Sequence, residues 1–294
     1  MLSVISFIAT HPLTRTDKVG AALRFVQWQI RSRLASRPLV HPWIGGSKFL
    51  ARSGETGLTG NIYAGLHEFA DMGYLLHVLR AEDLFVDIGA NVGSYTILAC
   101  RAIGARGYAI EPVPETFRRL LANVRLNGID ERVVCLNVGA SSENGFLHFT
   151  TGLDTTNHAM ADGDERATTT RVAVSTLDEV LKGESPALIK IDVEGYETPV
   201  LHGASETLRN PALHSVILEL NGSGSRYGFS EEKILAMLFD RGFKSYTYDP
   251  FNRRLIDLQG ASLREGNTLF IRNESLVRER LASAEKFIVH GRAF

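Results

Sequence analysis

The chain has little with which to crosslink itself, to bind a polyanion or to cross a bilayer. It carries two cysteines in 294 residues, Cys100 and Cys135. Each lies in an apolar stretch without C-x-x-C or metal-ligand spacing, which excludes a disulfide framework and a thiolate metal centre. Both read as core residues, and a reducing compartment is expected. The formal net charge is −1, so the overall balance attracts no nucleic acid, and none is expected as a partner. The apolar opening L2-S-V-I-S-F-I-A9 is too short to span a bilayer and lacks the basic flank of a signal peptide. No internal repeat or low-complexity run appears. The rest is ordinary globular usage, 44% hydrophobic and 22% charged, with length enough for one α/β domain and an appended segment. Composition therefore points to a cytoplasmic protein.

Against that plain background stands L84-F-V-D-I-G-A-N-V-G-S-Y-T96. Phe85, Val86 and Ile88 read as a strand buried on both faces. Gly89 and Gly93 permit a tight turn and a close ligand approach. Ser94 and Thr96 open a helix whose free N–H groups face the same crevice. A dinucleotide site would need G-x-G-x-x-G to seat a pyrophosphate on the helix. Here D87-I-G-A-N-V-G93 lacks the third glycine and puts a carboxylate where a phosphate would be repelled. Asp87 suits an ammonium instead. S-adenosylmethionine (SAM) carries one, with a ribose and no phosphate. Glu111, at the end of the next strand (Gly107 to Ile110), can accept both ribose hydroxyls. The acid pair favours SAM over a nicotinamide cofactor.

The remaining elements alternate in the manner of a doubly wound sheet. Pro114 opens a helix with the stripe Phe117, Leu120, Leu121 and Val124, closed by Asn127-Gly128. Strands are expected at Val133 to Val138, Ala187 to Asp192 and Ser215 to Leu220. Two extended segments, Phe146 to Thr150 and Thr170 to Val174, flank a polar loop, Gly152 to Thr169. Thr176 and Glu179 have capping-box spacing. Glu231 to Asp240 reads as a helix, and Lys244 to Asp249, Arg254 to Leu258 and Asn267 to Arg272 as an antiparallel end.

In this order the motifs resemble the FkbM family of SAM-dependent methyltransferases. They are V86-D-I-G-A-N-V-G-S-Y-T96, A109-I-E-P-V-P-E-T-F117, L136-N-V-G-A-S-S142, T176-L-D-E-V-L181, L188-I-K-I-D-V-E-G-Y-E197, V200-L-H-G-A204 and V216-I-L-E-L220. The likeness covers roughly residues 60 to 273. It implies a class I methyltransferase Rossmann-like sheet and O-methyl transfer to a small-molecule or glycan acceptor. Three segments are expected: 1–60, basic, helical and loop; 61–273, the methyltransferase domain; 274–294, a helical tail.

Within that reading Asp87, Gly89, Ala90, Asn91, Gly93, Tyr95 and Thr96 hold the methionine end of SAM. Glu111 holds the ribose, and Asn137, Val138 and Gly139 border the adenine. Methyl transfer to a hydroxyl is an in-line displacement that also needs a proton acceptor or a metal. Asp192 and Glu194, ending the fourth strand, are the expected catalytic pair, although either acid could merely cap the next helix. His67, Glu68 and His158 are further acceptor-side candidates, although a lone histidine is more often satisfied structure than catalyst. Asp192, Glu219 and Asn221 could instead form a Mg²⁺ site of hard oxygens, similar to that of catechol-type methyltransferases. The spacing E219-L-N221 departs from that group's adjacent acid–amide pair, so a metal is not favoured. The other classes left open are a nicotinamide oxidoreductase and a catalytically silent nucleoside-binding scaffold in glycan assembly.

The front segment differs in character. Arg15, Lys18, Arg24, Arg31, Arg33 and Arg37 face only Asp17 between residues 15 and 37. Val19, Leu23, Val26, Ile30 and Leu34 recur at helical spacing. The plainer expectation is that this stripe packs on the catalytic domain. The alternative is a peripheral contact with the inner membrane surface. The glycine-rich stretch Gly45 to Gly60 reads as a loop that connects or covers the cofactor. Oligomeric state is not legible.

Overall fold

In the computed structural model the described residues are 2–55, 57–152, 157–161 and 168–294. The front of the chain forms helices α1 (Leu2–Thr10) and α2 (Lys18–Leu34), a hairpin of β1 (Leu39–Pro42) with β2 (Lys48–Ala51), and helices α3 (Gly57–Ala64) and α4 (Phe69–Val78). The stretch from Gly45 to Gly60 is therefore not a plain loop. Gly45 and Gly46, at φ of 60° and 74°, turn the hairpin, and Phe49 and Ala51 of β2 are fully buried.

The central sheet then assembles from β3 (Leu84–Ile88), β4 (Arg106–Ile110) and β5 (Val133–Leu136), with helices α5 (Ser94–Ile97) and α6 (Pro114–Leu126) between them. A small side sheet of β6 (Gly139–Ala140), β7 (Gly145–Thr150) and β8 (Thr169–Ser175) follows. The Gly152 to Thr169 loop falls partly outside the described residues. Next come α7 (Leu177–Val180), β9 (Leu188–Ile191), α8 (Glu197–His202), α9 (Ser205–Arg209), β10 (Ser215–Glu219), α10 (Glu231–Phe239), β11 (Lys244–Asp249), β12 (Arg254–Asp257), β13 (Asn267–Ile271) and α11 (Glu274–Ser283). Thr176 caps α7 by accepting from the Glu179 N–H, as its spacing predicts.

Spatial order in the eight-stranded sheet is β12-β11-β13-β10-β9-β3-β4-β5. Strands β10, β9, β3, β4 and β5 run parallel. Strand β13 is antiparallel between β10 and β11. From β3 the chain winds outward through β4 and β5, then returns to β9 on the opposite side. The strand order thus reverses between β3 and β9, where ligands of open α/β sheets bind. Successive side chains of β3 feed opposite layers, as pleating requires. Phe85 packs with Leu75, Leu76, Leu120, Val124 and Leu281 on one face. Val86 and Ile88 pack with Val200, Leu208, Ile234 and Leu238 on the other.

Two further expectations need correction. The apolar stripe of α2 does not face the protein: Val19, Leu23, Val26, Ile30 and Leu34 are all exposed. The helix instead buries Ala21, Trp28 and Ser32. Its docking is fixed by Phe25, edge-on to Tyr63 at 5.2 Å, and by Arg24, whose Nε donates to the Tyr63 carbonyl at 3.0 Å. The tail is not helical throughout either. After α11, β14 (Ile288–Val289) pairs with β15 (Arg292–Ala293). His290 and Gly291 both take positive φ, the conformation that tight two-residue hairpins require. No described helix is long and apolar enough to cross a membrane.

Candidate active site

The loop leaving β3 is shaped by contact with the loop leaving β9. Gly89 sits at φ +75°, and a Cβ there would lie 1.8 Å from the Asp192 carbonyl oxygen. Only glycine fits. The Asp192 N–H in turn donates to the Ile88 carbonyl at 3.0 Å, so the two strand ends are held together. Gly93, at φ +92°, starts α5. Asp87 Oδ2 accepts from the Thr96 N–H at 3.0 Å and from its hydroxyl at 2.6 Å. Asp87 Oδ1 is buried and has no hydrogen-bond partner among the described residues. Asp87 lines the cleft at this switch point. One oxygen of this carboxylate thus anchors the helix, and the other awaits a donor.

Glu111 ends β4 on the same cleft. Its Oε2 accepts from the Asn91 N–H at 3.0 Å and its Oε1 from the Val113 N–H at 2.9 Å. Burial pushes its pKa up to about 7, against the pull of those two donors. Each oxygen keeps a lone pair for a further donor.

Across the cleft lies a group of acids around one buried cation. Lys190 of β9 is directly opposite Asp87 of β3 in the sheet register. Its ammonium is 2.8 Å from Asp192 Oδ2 and 4.7 Å from the centre of the Tyr95 ring. Burial alone would lower the lysine pKa. Asp192, Glu68 and Asp87 more than offset it and hold the ammonium charged. Tyr95 donates to Glu68 Oε2 at 2.9 Å. Asn267 donates to Glu68 Oε1 at 3.0 Å and to Asp71 Oδ2 at 3.1 Å. Burial, then the Glu68 charge, pushes Asp71 up to about 8. Glu219, ending β10, is raised by burial and by Asp192 and Glu194.

Ligand oxygens of Asp192, Glu194 and Glu219 come within 4.8 Å of one another. Glu194 has a left-handed backbone, φ 55°, a strained conformation for a non-glycine residue. Burial, then the Asp192 charge, raises its pKa, while Arg226 and His158 oppose the shift. Glu197 fixes this loop, accepting from the Gly195 N–H at 3.0 Å.

Of the residues expected at the site, Asp87, Gly89, Ala90, Asn91, Tyr95, Glu111, Asp192, Glu194, His67, Glu68 and Glu219 line the cleft. Gly93 and Thr96 shape it from behind, through the helix start and the Asp87 clamp. Asn137, Val138 and Gly139 are not among its lining residues. The Asn137 amide donates to the Glu111 and Pro112 carbonyls, and Gly139 pairs with β8. His158 is buried beside the side sheet, its N–H donated to Thr150 Oγ1. Asn221 is not among the lining residues and accepts from the Ser223 N–H at 2.9 Å. Sequence reasoning missed Lys190, Asp71 and Asn267. The first had a signal: one lysine inside the otherwise apolar strand A187-L-I-K-I191.

The fit of SAM rests on these atoms. The orphaned Asp87 Oδ1 can take an ammonium donor, and Glu111 retains acceptor capacity for ribose hydroxyls. The surplus of acids over the single buried lysine complements a sulfonium. Fold and cleft thus define a SAM-binding protein of the class I methyltransferase kind.

Comparison with known proteins agrees. The family model described as "Methyltransferase FkbM domain" matches residues 87–245, and the chain belongs to that family. It is 31% identical over 150 residues to the hexuronic acid methyltransferase AglP of Haloferax volcanii, across 50% of this chain and 59% of that protein. It therefore spans less than two thirds of that relative's length. It is 29% identical over 209 residues to the methyltransferase sdnD of Sordaria araneosa, across 60% of this chain and 79% of that protein. A solved SAM-dependent O-methyltransferase from Thermotoga maritima superposes with a TM-score of 0.39 at 13% identity, over 69% of this chain and 63% of the other. That overlap is too loose to argue from.

Proposed function

We propose that this chain transfers the methyl group of SAM to a hydroxyl of a small-molecule or glycan acceptor, with Glu194 as the base. The observation that carries the proposal is the convergence of Asp192, Glu194 and Glu219 beside the loops that carry Asp87 and Glu111. SAM, when bound, supplies an electrophilic methyl group on a sulfonium. Asp87 and the backbone of Ala90 and Asn91 would hold its methionine end, and Glu111 its ribose. Lys190 keeps Asp192 in one orientation through the 2.8 Å ion pair, and the acceptor hydroxyl is aligned against that fixed carboxylate. Glu194, its proton affinity raised by burial and by Asp192, takes the hydroxyl proton. A base with a raised pKa is better matched to this role near neutral pH than an ordinary carboxylate.

The Haloferax relative is named for a hexuronic acid, which makes a sugar hydroxyl the first acceptor to try. Carboxylates accept well from sugar hydroxyls. An acceptor carboxylate would have to point away from the three acids, toward Arg226, whose charge is felt at Glu194.

The same convergence supports a second reading, a divalent cation on three hard oxygens. The Lys190 ammonium on Asp192 argues against it, because it already supplies positive charge to that carboxylate. Incubation with methyl-labelled SAM and a panel of hydroxylated acceptors tests the proposal. Glu194→Gln should lower turnover by about 10²–10⁴-fold with SAM affinity unchanged. Activity should persist in EDTA. Full turnover in Glu194→Gln would remove the base, and loss in EDTA with recovery in Mg²⁺ would put a metal in its place.

A further inference from the structure

Helix α2 turns its most apolar face to solvent. Val19, Leu23, Val26, Ile30 and Leu34 are between 49% and 83% exposed. At about 100° per residue they fall within one arc of roughly 80°, so they form a continuous stripe along the helix. Surface helices normally bury such a stripe. Here the buried edge is the other one, built on Ala21 and Trp28. A contiguous exposed apolar face of this kind marks a contact surface.

Charge selects the occupant. Lys18, Arg31 and Arg33 are exposed on the helix, with Arg15 and Arg37 just beyond its ends. The one acid of this segment, Asp17, is committed to Arg24 at 3.1 Å. Arg33 and Lys18 flank the stripe on one side and Arg31 on the other. Two copies meeting through this face would bring like charges together. An anionic surface with an apolar layer beneath the charge meets both demands, as it does for in-plane amphipathic helices.

We infer that the outer face of α2 docks in the plane of an anionic lipid bilayer, its stripe in the acyl boundary and its cations among the headgroups. The consequence for the site follows from packing. Helix α2 lies against α3 through Tyr63, and Leu58 and Asn61 of α3 line the cleft. A docked chain would hold its cleft one helix away from the headgroups. The inference is independent of which acceptor is methylated.

The test is co-sedimentation of the full chain with vesicles of mixed phosphatidylglycerol and phosphatidylcholine, against pure phosphatidylcholine vesicles. The chain should pellet with the anionic vesicles, remain in solution with the neutral ones, and be released by raised salt. Leu23→Asp with Ile30→Asp, and separately Arg31→Glu with Arg33→Glu, should each weaken partitioning by roughly tenfold or more. All four side chains are exposed, so thermal melts of the variants should match the parent and exclude misfolding. Failure to pellet with anionic vesicles, or variants that pellet like the parent, would overturn the inference. So would sedimentation velocity without lipid showing a dimer that Leu23→Asp with Ile30→Asp dissolves. The stripe would then belong to a second copy.

Discussion

Replacing Lys190 by methionine removes the one ammonium around which the cleft acids are arranged. Lys190 is 3% exposed, and Asp192, Glu68 and Asp87 all act on its charge. Removing one partner of a buried ion pair costs about 3–5 kcal/mol, because the charges left behind are uncompensated. That figure applies only while the acids are ionised. Burial already raises the Asp87 pKa against the pull of Lys190, so without the lysine it stands still further above its unfolded value near 4. A group with a raised folded pKa contributes stability that is present below its unfolded pKa and lost as pH rises through the folded one. The deficit of Lys190→Met relative to the parent should therefore be largest at about pH 8.5. At about pH 5 it should shrink toward roughly 1 kcal/mol, the value of a lost hydrogen bond. Urea unfolding of both proteins at each pH measures it, as a shift of midpoint at constant slope. Adding Asp192→Asn to the variant should recover part of the loss at high pH. An equal deficit at both pH values, or a larger one in acid, would refute the charge argument and leave lysine as mere packing.

Other outcomes follow from the same geometry. Glu111→Gln should weaken binding of S-adenosylhomocysteine by tens of fold, about 2 kcal/mol. Its circular dichroism should be unchanged, and unaltered affinity would mean that the ribose sits elsewhere. SAM affinity should rise as pH climbs through about 7, where Glu111 ionises. Burial disfavours that charge and a cationic ligand with donor hydroxyls restores it, so a calorimetric pH profile that is flat or falling would contradict the assignment.

How far the sequence could be read follows from which signals are local. Strand β3 and the turn after it were legible because strand, acid and glycine are adjacent, and the physics that selects each is short-range. The parallel strands and the capped helices α6 and α7 were legible for the same reason. The orientation of α2 was not. Its stripe matches a buried face in every respect, yet the other edge is the one that docks, with Trp28 buried and Phe25 against Tyr63. Periodicity reports that a face is apolar, not what covers it. In the site, Asp192 and Glu194 were visible as the end of a strand. Lys190, Asp71 and Asn267 meet there only because β9, α4 and β13 converge, and Asn267 is 196 residues from Asp71. What Asn137 binds within the fold was equally hidden. Adjacent to the cleft in sequence, it spends its amide on the Glu111 and Pro112 carbonyls.

The acids of this switch point should hold a sulfonium cofactor and not a dinucleotide. Isothermal titration of the purified chain with SAM, S-adenosylhomocysteine and NADH tests it most directly. Both SAM compounds should bind to a single site and NADH should give no heat, since Asp87 stands where its pyrophosphate would lie. Tight NADH binding with no response to either SAM compound would make this a dinucleotide site instead.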